Sequence, residues 1–294
     1  MTEQRPKPLV PIFQKPLITF SLDHLLSIGI DSFVINTHRL ATQFETQFGD
    51  GTYGGTTLKL LHEPDLLETG GGIKNAESSL RPEPFIVYSG DILTDISLDT
   101  VVEEHFAKGN DVTLALREDG LGTDIAVRDG RVIDIAGKYG HQGTCDFAGI
   151  SVWNPTIFER IPPKKKISFV PIVRDWIGSG GKVGGVVMNE RNWFNIGSRD
   201  GYLDVHRTIA EGWRPYYVTA PEWPVRVAED AIVEPNARLA GFYSIGSGSR
   251  VGADAVIEDS IVWPGAQIAS RSHLRNCIVR SDQKAEGTLR DIDI

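Results

Sequence analysis

The sequence predicts an α/β protein with a mixed, mostly parallel sheet covered by helices on both faces, followed by a short left-handed parallel β-helix. Strand-like and helix-like segments alternate over the first two-thirds of the chain, which is the order that produces a parallel sheet. From Val225 onward, aliphatic residues recur at every sixth position, which is typical of a coiled repeat. The 294 residues suffice for two cores, and we expect one domain over 1–220 and another over 221–294.

In the first part of the chain, apolar residues at helical spacing predict helices, and short apolar runs predict buried strands. The helices are expected over 17–28, 40–48, 73–79 and 98–107. The strands are expected over 33–36, 57–62, 85–88 and 112–116. Such sheets bind ligands beyond the carboxyl ends of their strands. Glu63 and Asp91, which follow two of the strands, are therefore candidate site residues.

The pattern changes after Asp124. The dipeptide Asp129-Gly130 lies between two short apolar runs, which predicts a β-hairpin with strands over 125–127 and 132–135. Another strand is expected over 147–153. Further helices are expected over 156–160, 170–177 and 201–209.

The C-terminal part of the sequence carries an internal repeat of six residues. Its aliphatic positions, followed by those of a second phase, are Val227, Val233, Leu239, Ile245, Val251 and Ile257, then Val262, Ile268 and Leu274. Small residues recur four places after several of them, at Ala231, Ala237, Ser249 and Ala255. The period fits a left-handed parallel β-helix, with the aliphatic residues pointing inward. The alternative is an ordinary run of short strands whose regular spacing is chance. Two to three coils would form a cap or a contact surface.

Composition excludes several classes of protein. The chain has 30 Lys and Arg against 39 Asp and Glu, a net charge of −9, which argues against nucleic-acid binding. A phosphorylated small substrate held by a few lysines is compatible with this charge. Cys145 and Cys277 are too few for a disulfide scaffold. No apolar run approaches the roughly 20 residues of a membrane span, and the first residues do not resemble a signal peptide, so we expect a cytoplasmic protein without a membrane partner.

Four short motifs resemble those of the sugar-1-phosphate nucleotidyltransferases. They are Arg-Pro-Lys-Pro-Leu-Val-Pro at 5–11, Leu-Glu-Thr-Gly-Gly-Gly-Ile at 67–73, Ser-Gly-Asp at 89–91 and Trp-Phe-Asn-Ile-Gly at 193–197. The motifs follow in the family's order, and the resemblance covers nearly the whole chain because many members carry a hexapeptide-repeat tail. It implies a Rossmann-like sheet and a reaction that joins a nucleoside triphosphate to a sugar 1-phosphate, releasing pyrophosphate. The glycine stretch is most similar to N-acetylmuramate-1-phosphate uridylyltransferases, and the repeat tail to mannose-1-phosphate guanylyltransferases. Both UTP and GTP therefore remain candidates for the nucleoside triphosphate substrate.

The resemblance assigns a cation and a nucleotide-binding loop. Lys7 matches the family lysine that contacts the triphosphate; a solvated surface lysine is the alternative. Thr69, Gly70 and Gly71 match a base-binding loop, where glycines let backbone amides approach a ligand. Glu63 matches the position that reads the base edge, and a surface charge is the alternative. A carboxylate there could accept a hydrogen bond from uracil or from guanine.

The resemblance also implies a Mg²⁺ site. Asp91 follows an apolar strand, where a carboxylate is costly without a partner, and it matches the family aspartate that holds the metal. A structural cap is the alternative. The expected second ligand is an aspartate in a Trp-x-Asp-Ile-Gly pattern, but this chain has Asn195. Asparagine offers a neutral oxygen, which weakens the negative charge of the site.

Two further positions are assigned to the sugar phosphate. Lys138 stands where relatives often carry a lysine for the phosphate, although the usual Glu-Lys-Pro context is replaced by Gly-Lys-Tyr. Gly149 matches a glycine that passes close to the sugar. For each residue, an ordinary exposed lysine or strand glycine is the alternative.

Family members begin with a strand and a Gly-x-Gly-x-Arg loop that wraps the triphosphate, whereas this sequence begins at Met1, where that loop should end. Two interpretations follow. We expect an internal start or a truncation of a complete enzyme. The rival is a non-catalytic subunit that binds a sugar nucleotide and forms a homo-oligomer through its β-helix.

Overall fold

The computed structural model describes residues 3–120, 122 and 124–294, so Met1 and Thr2, where the predicted internal start falls, lie outside the described residues. The α-helices are α1 Leu17–Ser27, α2 Ala41–Phe48, α3 Glu68–Ala76, α4 Leu98–Lys108, α5 Phe169–Gly178 and α6 Arg199–Ala210. Short 3-10 helices cover Lys7–Leu9, Glu77–Ser79 and Pro155–Arg160.

The strands fall into an earlier group and a later group. The earlier strands are β1 Pro11–Ile12, β2 Lys15–Pro16, β3 Ser32–Thr37, β4 Thr52–Tyr53, β5 Thr56–His62, β6 Phe85–Tyr88, β7 Ile92–Thr94, β8 Val112–Arg117, β9 Ile125–Arg128, β10 Arg131–Ile135, β11 Asp146–Trp153, β12 Val183–Val187 and β13 Trp193–Asn195. The later strands are β14 Ile232–Val233, β15 Arg238–Ile245, β16 Arg250–Val251, β17 Val256–Val262, β18 Gln267–Ile268, β19 His273–Arg275, β20 Ile278–Val279, β21 Lys284–Ala285 and β22 Thr288–Arg290. We call the later group the parallel stack.

The chain divides into two compact units. Unit 1 contains the described residues up to Ser21 together with Gly90–Leu93 and Phe194–Ile294, and unit 2 contains Leu22–Ser89 and Thr94–Trp193. This division differs from the predicted domains over 1–220 and 221–294, because the N-terminal segment and α6 belong with the parallel stack. The predicted boundary between residues 220 and 221 falls inside unit 1.

Unit 2 is built on two sheets. In the larger one, the strand order is β6-β11-β8-β12-β10-β9, and only β8 and β12 run parallel. The other pairings are antiparallel. The sheet is mixed, as predicted, but the prediction that it is mostly parallel is wrong for these six strands, since four of the five pairings are antiparallel. The predicted hairpin forces β9 and β10 antiparallel, and β11 enters between β6 and β8 in the opposite direction.

The smaller sheet of unit 2 has the order β3-β5-β4. Strands β3 and β5 are parallel over six pairs, from Ser32 with Thr57 to Thr37 with His62, as the alternation of strands and helices predicts. Their carboxyl ends therefore lie side by side. This register brings Asn36 and Glu63, at the ends of the two strands, to one edge of the sheet.

The parallel stack forms two sheets in unit 1, with the orders β14-β16-β18-β21 and β15-β17-β19-β22. Ile232 pairs with Arg250 and Arg250 pairs with Gln267, so successive partners are 18 and 17 residues apart, close to three of the predicted six-residue repeats. Repeat positions from Ile245 onward are buried. Val233 is 37 % exposed, contrary to its predicted inward position, because β14 ends its sheet and has a neighbour on one side only.

One apolar core joins the distant parts of unit 1. It contains residues of the N-terminal segment, Leu93, residues of α6 and residues of the parallel stack; among them are Ile12, Phe13, Tyr202, Trp223 and Trp263. The indole of Trp263 donates to the Tyr202 hydroxyl at 3.0 Å, and this hydroxyl donates to the Pro11 carbonyl at 2.6 Å. Among the described residues, no helix has the length and apolar character required to cross a membrane.

Candidate active site

Lys7 begins a 3-10 helix between two prolines. Pro6 and Pro8 restrict the backbone on either side of it, and the Val10 amide donates to the Lys7 carbonyl at 3.1 Å. The Lys7 residue is half-buried. Its ammonium has no hydrogen-bond or ion-pair partner within the part of the chain that the structure describes. A half-buried cation of this kind is suited to an anionic ligand.

Asp91 and Asn195 are brought together by the pairing of β7 with β13. The Ile196 amide donates to the Asp91 carbonyl at 2.9 Å, which fixes the residues at the two strand ends relative to each other. A Cβ on Gly90 would lie 3.2 Å from Pro8 Cγ, so the residue before Asp91 packs against the residue after Lys7. The tertiary structure of unit 1 thus groups three predicted site residues that are far apart in the sequence.

Gly197 lies beside two members of this group, Asn195 and Lys7. Its amide donates to Asn195 Oδ1 at 2.7 Å, forming a tight turn before α6. A Cβ on Gly197 would lie 2.7 Å from Asn195 Oδ1 and 3.5 Å from Lys7 Nζ, so only glycine leaves these groups undisturbed. Ser198 then caps α6, because its hydroxyl accepts from the Gly201 amide at 3.0 Å.

The carboxylate of Asp91 fits a hard metal ion. Asp91 is half-buried, and over the described ranges its carboxylate makes no hydrogen bond or ion pair. Within the same ranges, no group of three or more His, Cys, Asp and Glu side chains forms a metal cluster. Mg²⁺ is commonly held by one or two carboxylates together with substrate phosphates, so a single carboxylate matches this mode of binding.

Glu63 is a buried residue of unit 2. It is only 5 % exposed, so the alternative of a surface charge is wrong. Asn36 Nδ2 donates to Glu63 Oε1 at 2.5 Å, and the Leu67 amide donates to Oε2 at 3.3 Å. His38 Nδ1 donates to the Glu63 carbonyl at 2.8 Å. Each carboxylate oxygen keeps a lone pair after these bonds, so the group can still accept from a ligand.

Asn36 and His38 are part of this cluster, and the sequence analysis did not single them out. Asn36 Nδ2 also donates to the Gly72 carbonyl at 3.0 Å, which links the end of β3 to α3. The position of Asn36 in the sequence could have identified it as a site residue. It is a polar residue at the end of an apolar run, just as Glu63 follows the neighbouring strand.

The sequence predicts a loop at 70–72 before a helix that begins at 73, and this prediction is wrong. In the structure, the three glycines lie inside α3. The Gly71 amide donates to the Ile167 carbonyl at 3.0 Å, and the Thr69 hydroxyl accepts from the Phe169 amide at 3.2 Å. A Cβ on Gly71 would collide with the Lys165 carbonyl, and one on Gly70 would lie 2.9 Å from the Ile167 carbonyl. These glycines therefore permit close passage of the segment before α5.

Gly149 is buried and has φ +83°, a conformation that glycine adopts at little cost. It lies where the register between β11 and β8 shifts, between Phe147 and Ser151. Its carbonyl accepts from the Ser89 amide at 2.8 Å. The backbone thus requires glycine here for a β-bulge, whatever it does toward a ligand.

Lys138 is exposed on a turn that Asp134 holds. Asp134 is buried on β10, and its Oδ2 accepts from the Tyr139 amide at 2.7 Å and from the His141 amide at 3.0 Å. Burial, the largest influence, favours the neutral acid, but the backbone hydrogen bonds outweigh it and lower the pKa of Asp134. The sequence gives no signal that identifies Asp134. It is a single carboxylate inside a short apolar strand, and nothing in the local sequence shows that the following turn donates to it.

The predicted site residues fall into separate groups. Lys7, Asp91 and Asn195 lie together in unit 1. The remaining ones belong to unit 2, where α3, the bulge of β11 and the turn after β10 hold them; they are Glu63, Thr69, Gly70, Gly71, Lys138 and Gly149. An α/β fold that groups a cation, a carboxylate and an amide around one strand pair is suited to phosphorylated ligands.

The chain belongs to the nucleotidyl transferase family, whose model matches residues 1–212. This membership confirms the predicted resemblance to sugar-1-phosphate nucleotidyltransferases. The chain is 27% identical over 276 residues to the mannose-1-phosphate guanylyltransferase of Mycobacterium tuberculosis, covering 91% of this chain and 77% of the relative. It is 31% identical over 186 residues to the N-acetylmuramate alpha-1-phosphate uridylyltransferase of Neisseria meningitidis, covering 59% and 77%.

Solved structures show the same fold. HddC from Yersinia pseudotuberculosis superimposes with a TM-score of 0.58 and 23% identity, over 69% of this chain and 90% of that chain. The inositol-1-phosphate CTP transferase from T. maritima superimposes with a TM-score of 0.57 and 15% identity, over 68% and 84%. At these identities the likeness establishes the architecture alone.

Proposed function

We propose that this protein transfers a nucleotidyl group from a nucleoside triphosphate to a sugar 1-phosphate, forming a nucleotide sugar and pyrophosphate. The observation that carries the proposal is the grouping of Lys7, Asp91 and Asn195 around β7 and β13 in a member of the nucleotidyl transferase family. The names of its relatives favour UTP or GTP as the triphosphate.

The sugar phosphate is already ionised, so its oxygen attacks the α-phosphorus in line without a general base. Positioning and neutralisation of charge are then the main tasks of the protein. Lys7 would place its ammonium against the triphosphate, whose negative charge compensates the unpaired, half-buried cation. Gly197 leaves room for this ammonium beside the turn.

Asp91 and the side-chain oxygen of Asn195, with phosphate oxygens of the substrate, would hold Mg²⁺. When bound, this ion would neutralise phosphate charge during the transfer. The half-buried Asp91 carboxylate without a protein partner supports this assignment. The protein's own part is to fix Asp91 through the hydrogen bond between its carbonyl and the Ile196 amide.

The residues of unit 2 would bind the base and the sugar. Glu63 would accept a hydrogen bond from a uracil or guanine base, and Thr69, Gly70 and Gly71 would lie at the first turn of α3 beside it. Lys138, on the turn after β10, would bind the sugar phosphate. Gly149 would lie close to the sugar.

The parallel stack would form a short left-handed β-helix built from the six-residue repeat. The offsets of 17 and 18 residues between paired strands support three repeats per coil. We also propose that the protein forms a homo-oligomer through these coils. Its proposed location is the cytoplasm.

The proposal is tested by measuring pyrophosphate release with a panel of nucleoside triphosphates and sugar 1-phosphates in the presence of Mg²⁺. We expect turnover with UTP or GTP and one class of sugar phosphate. If no pair of substrates gives turnover, the proposed enzymatic function is contradicted. That result would favour a subunit that binds a sugar nucleotide without catalysis.

Replacing Asp91 tests the metal assignment. We expect Asp91→Ala to lower kcat by about 100-fold or more, because charge on the phosphates is no longer balanced. The control is Asp65→Ala, which removes an exposed carboxylate from unit 2 and should leave kcat unchanged. Unchanged activity of Asp91→Ala, with circular dichroism showing an intact fold, would remove Asp91 from the metal role.

A further inference from the structure

An open cavity of about 330 Å³ lies in unit 2, between the end of the 3-10 helix Pro155–Arg160 and α5. Its lining residues are Arg160, Ile167, Pro171, Ile172 and Asp175. Three of them form an apolar surface, whereas Arg160 and Asp175 carry opposite charges. A volume of this size suits a small molecule.

The Arg160 guanidinium is held at the cavity without a carboxylate partner. Its Cζ lies 4.6 Å from the centre of the Trp176 ring, and Nη1 donates to Ser179 Oγ at 3.3 Å. A guanidinium has five N–H groups, so four of them remain for another acceptor. Within the part of the chain that the structure describes, no acidic side chain forms an ion pair with Arg160. A positioned, unpaired guanidinium favours a phosphate as its ligand.

The charge of the surrounding segment also favours an anion. Residues 159–175 contain five Lys and Arg against two Asp and Glu, a net charge of +3, whereas the whole chain carries −9. Three of these cations are the lysines at 164–166, on the exposed loop that joins two of the lining residues and therefore borders the cavity. Lys166 lies 3.8 Å from Glu68, and the other two lysines have no ion-pair partner among the described residues. The local positive potential would attract a phosphorylated molecule.

The cavity lies on the side of α3 that faces away from Glu63. A Cβ on Gly72 would lie 3.1 Å from Glu63 Oε1, whereas a Cβ on Gly70 would lie 2.9 Å from Ile172 Cδ1. Successive helical residues are rotated by about 100°, so these two glycines face nearly opposite sides of α3. Ile172 lines the cavity. The cavity is therefore separate from the cluster around Glu63, although both adjoin the same helix.

We propose that this cavity is a second ligand site, which binds a small phosphorylated molecule that carries hydroxyl groups, such as a sugar phosphate. Arg160 would donate to the phosphate. The exposed Asp175 carboxylate, which makes no hydrogen bond or ion pair in the described ranges, would accept from the hydroxyl groups. The carbon skeleton would pack against Ile167, Pro171 and Ile172.

The site is tested by calorimetric titration with glucose 6-phosphate, which has no phosphate at carbon 1 and is therefore not a substrate of the proposed reaction. We expect it to bind, and Arg160→Gln to weaken its binding by at least about tenfold, the loss expected when a charge-assisted hydrogen bond is removed. Arg128→Gln is the matched control, since Arg128 is exposed in unit 2 outside the cavity and its loss should not change the affinity. Unphosphorylated glucose should bind more weakly than glucose 6-phosphate.

Hydrogen exchange, measured with and without glucose 6-phosphate, locates the bound molecule. The Gly71 amide donates to the carbonyl of the lining residue Ile167 at 3.0 Å, so a ligand packed against Ile167 should slow exchange at this amide. We also expect slower exchange over residues 165–175.

Four results would overturn the inference. They are absence of binding, equal affinity for glucose and glucose 6-phosphate, equal affinity of Arg160→Gln and the unchanged protein, and protection from exchange that excludes both Gly71 and residues 165–175. None of these measurements involves nucleotidyl transfer, so their outcome does not depend on the proposed function.

Discussion

At the scale of single residues, polar groups in unit 1 are placed by contacts that the local sequence does not contain. His206 is fully buried on α6, between Phe13 and Tyr202, with ring centroids 4.9 and 4.7 Å away. Its Nδ1 donates to the Tyr202 carbonyl at 2.8 Å, and its Nε2 is buried without a hydrogen-bond partner. Burial lowers the pKa of His206 from 6.5 to about 4, although the bond to Tyr202 opposes this change.

This depressed pKa predicts a loss of stability in mild acid. The unfolded chain binds the proton near pH 6.5 and the folded chain only near pH 4, so the free energy of unfolding falls as the pH decreases through this window. The loss attributable to His206 is about 3 kcal/mol. Urea unfolding of His206→Leu between pH 7 and pH 4 should show a shallower pH dependence than that of the unchanged protein.

The control for this experiment is His62→Leu, because His62 is exposed on β5. Its pH dependence should match that of the unchanged protein. Equal slopes for His206→Leu and the unchanged protein would show that another group determines acid sensitivity.

At the scale of elements, most helices and strands could be predicted from the sequence, and the errors have identifiable causes. The strand Phe85–Tyr88 and the hairpin of β9 and β10 are local in origin, since apolar runs and the Asp129-Gly130 turn specify them. The start of α3 was missed because glycine lowers helix propensity. Packing against the segment at 165–168 compensates for that, and this segment is nearly 100 residues away in the sequence.

The glycines of α3 therefore give an unusual prediction. Alanine is the better helix former by about 1 kcal/mol, yet Gly71→Ala should destabilise the protein by about 1–3 kcal/mol because its Cβ would strike the Lys165 carbonyl. Asn75→Ala, an exposed change in the same helix, should be neutral or slightly stabilising. Urea denaturation measures both, and a stabilised Gly71→Ala would rule out the close passage.

The turn after β10 offers a second test at this scale. Asp134→Ala removes the acceptor for the Tyr139 and His141 amides, so hydrogen exchange at these amides should become faster while exchange in β8 and β12 stays slow. Asp129→Ala, at the exposed tip of the preceding hairpin, serves as the comparison. Unchanged exchange at Tyr139 in Asp134→Ala would mean that the turn that carries Lys138 is held by other contacts.

At the scale of the whole molecule, unit 1 connects the two ends of the chain. Its core contains Val10, Ile12 and Phe13 from the N-terminal segment and Phe242, Trp263 and other residues of the stack. The segment with Lys7 is therefore held in place by residues beyond the predicted domain boundary at 220.

A chain shortened to residues 1–220 should consequently fail to form a stable unit 1. Loss of residues 221–294 would expose the apolar side chains that contact Trp223, Phe242 and Trp263, so we expect binding of a hydrophobic dye and loss of cooperative unfolding. Ile232→Ala, in an exposed part of the stack, should unfold as the unchanged protein does. Cooperative unfolding of the 1–220 chain with native circular dichroism would support the predicted domain boundary instead.

The sequence by itself determined the family, most secondary structure, the six-residue repeat and the candidate residues, because short motifs and apolar periodicity are local properties. Only the tertiary structure decided the strand directions of the larger sheet, the helical state of the glycines and the membership of Lys7 and the parallel stack in one unit. It also decided that Asn195 directs its oxygen to Gly197. Each of these depends on contacts between residues far apart in the chain, which periodicity and motif spacing do not encode.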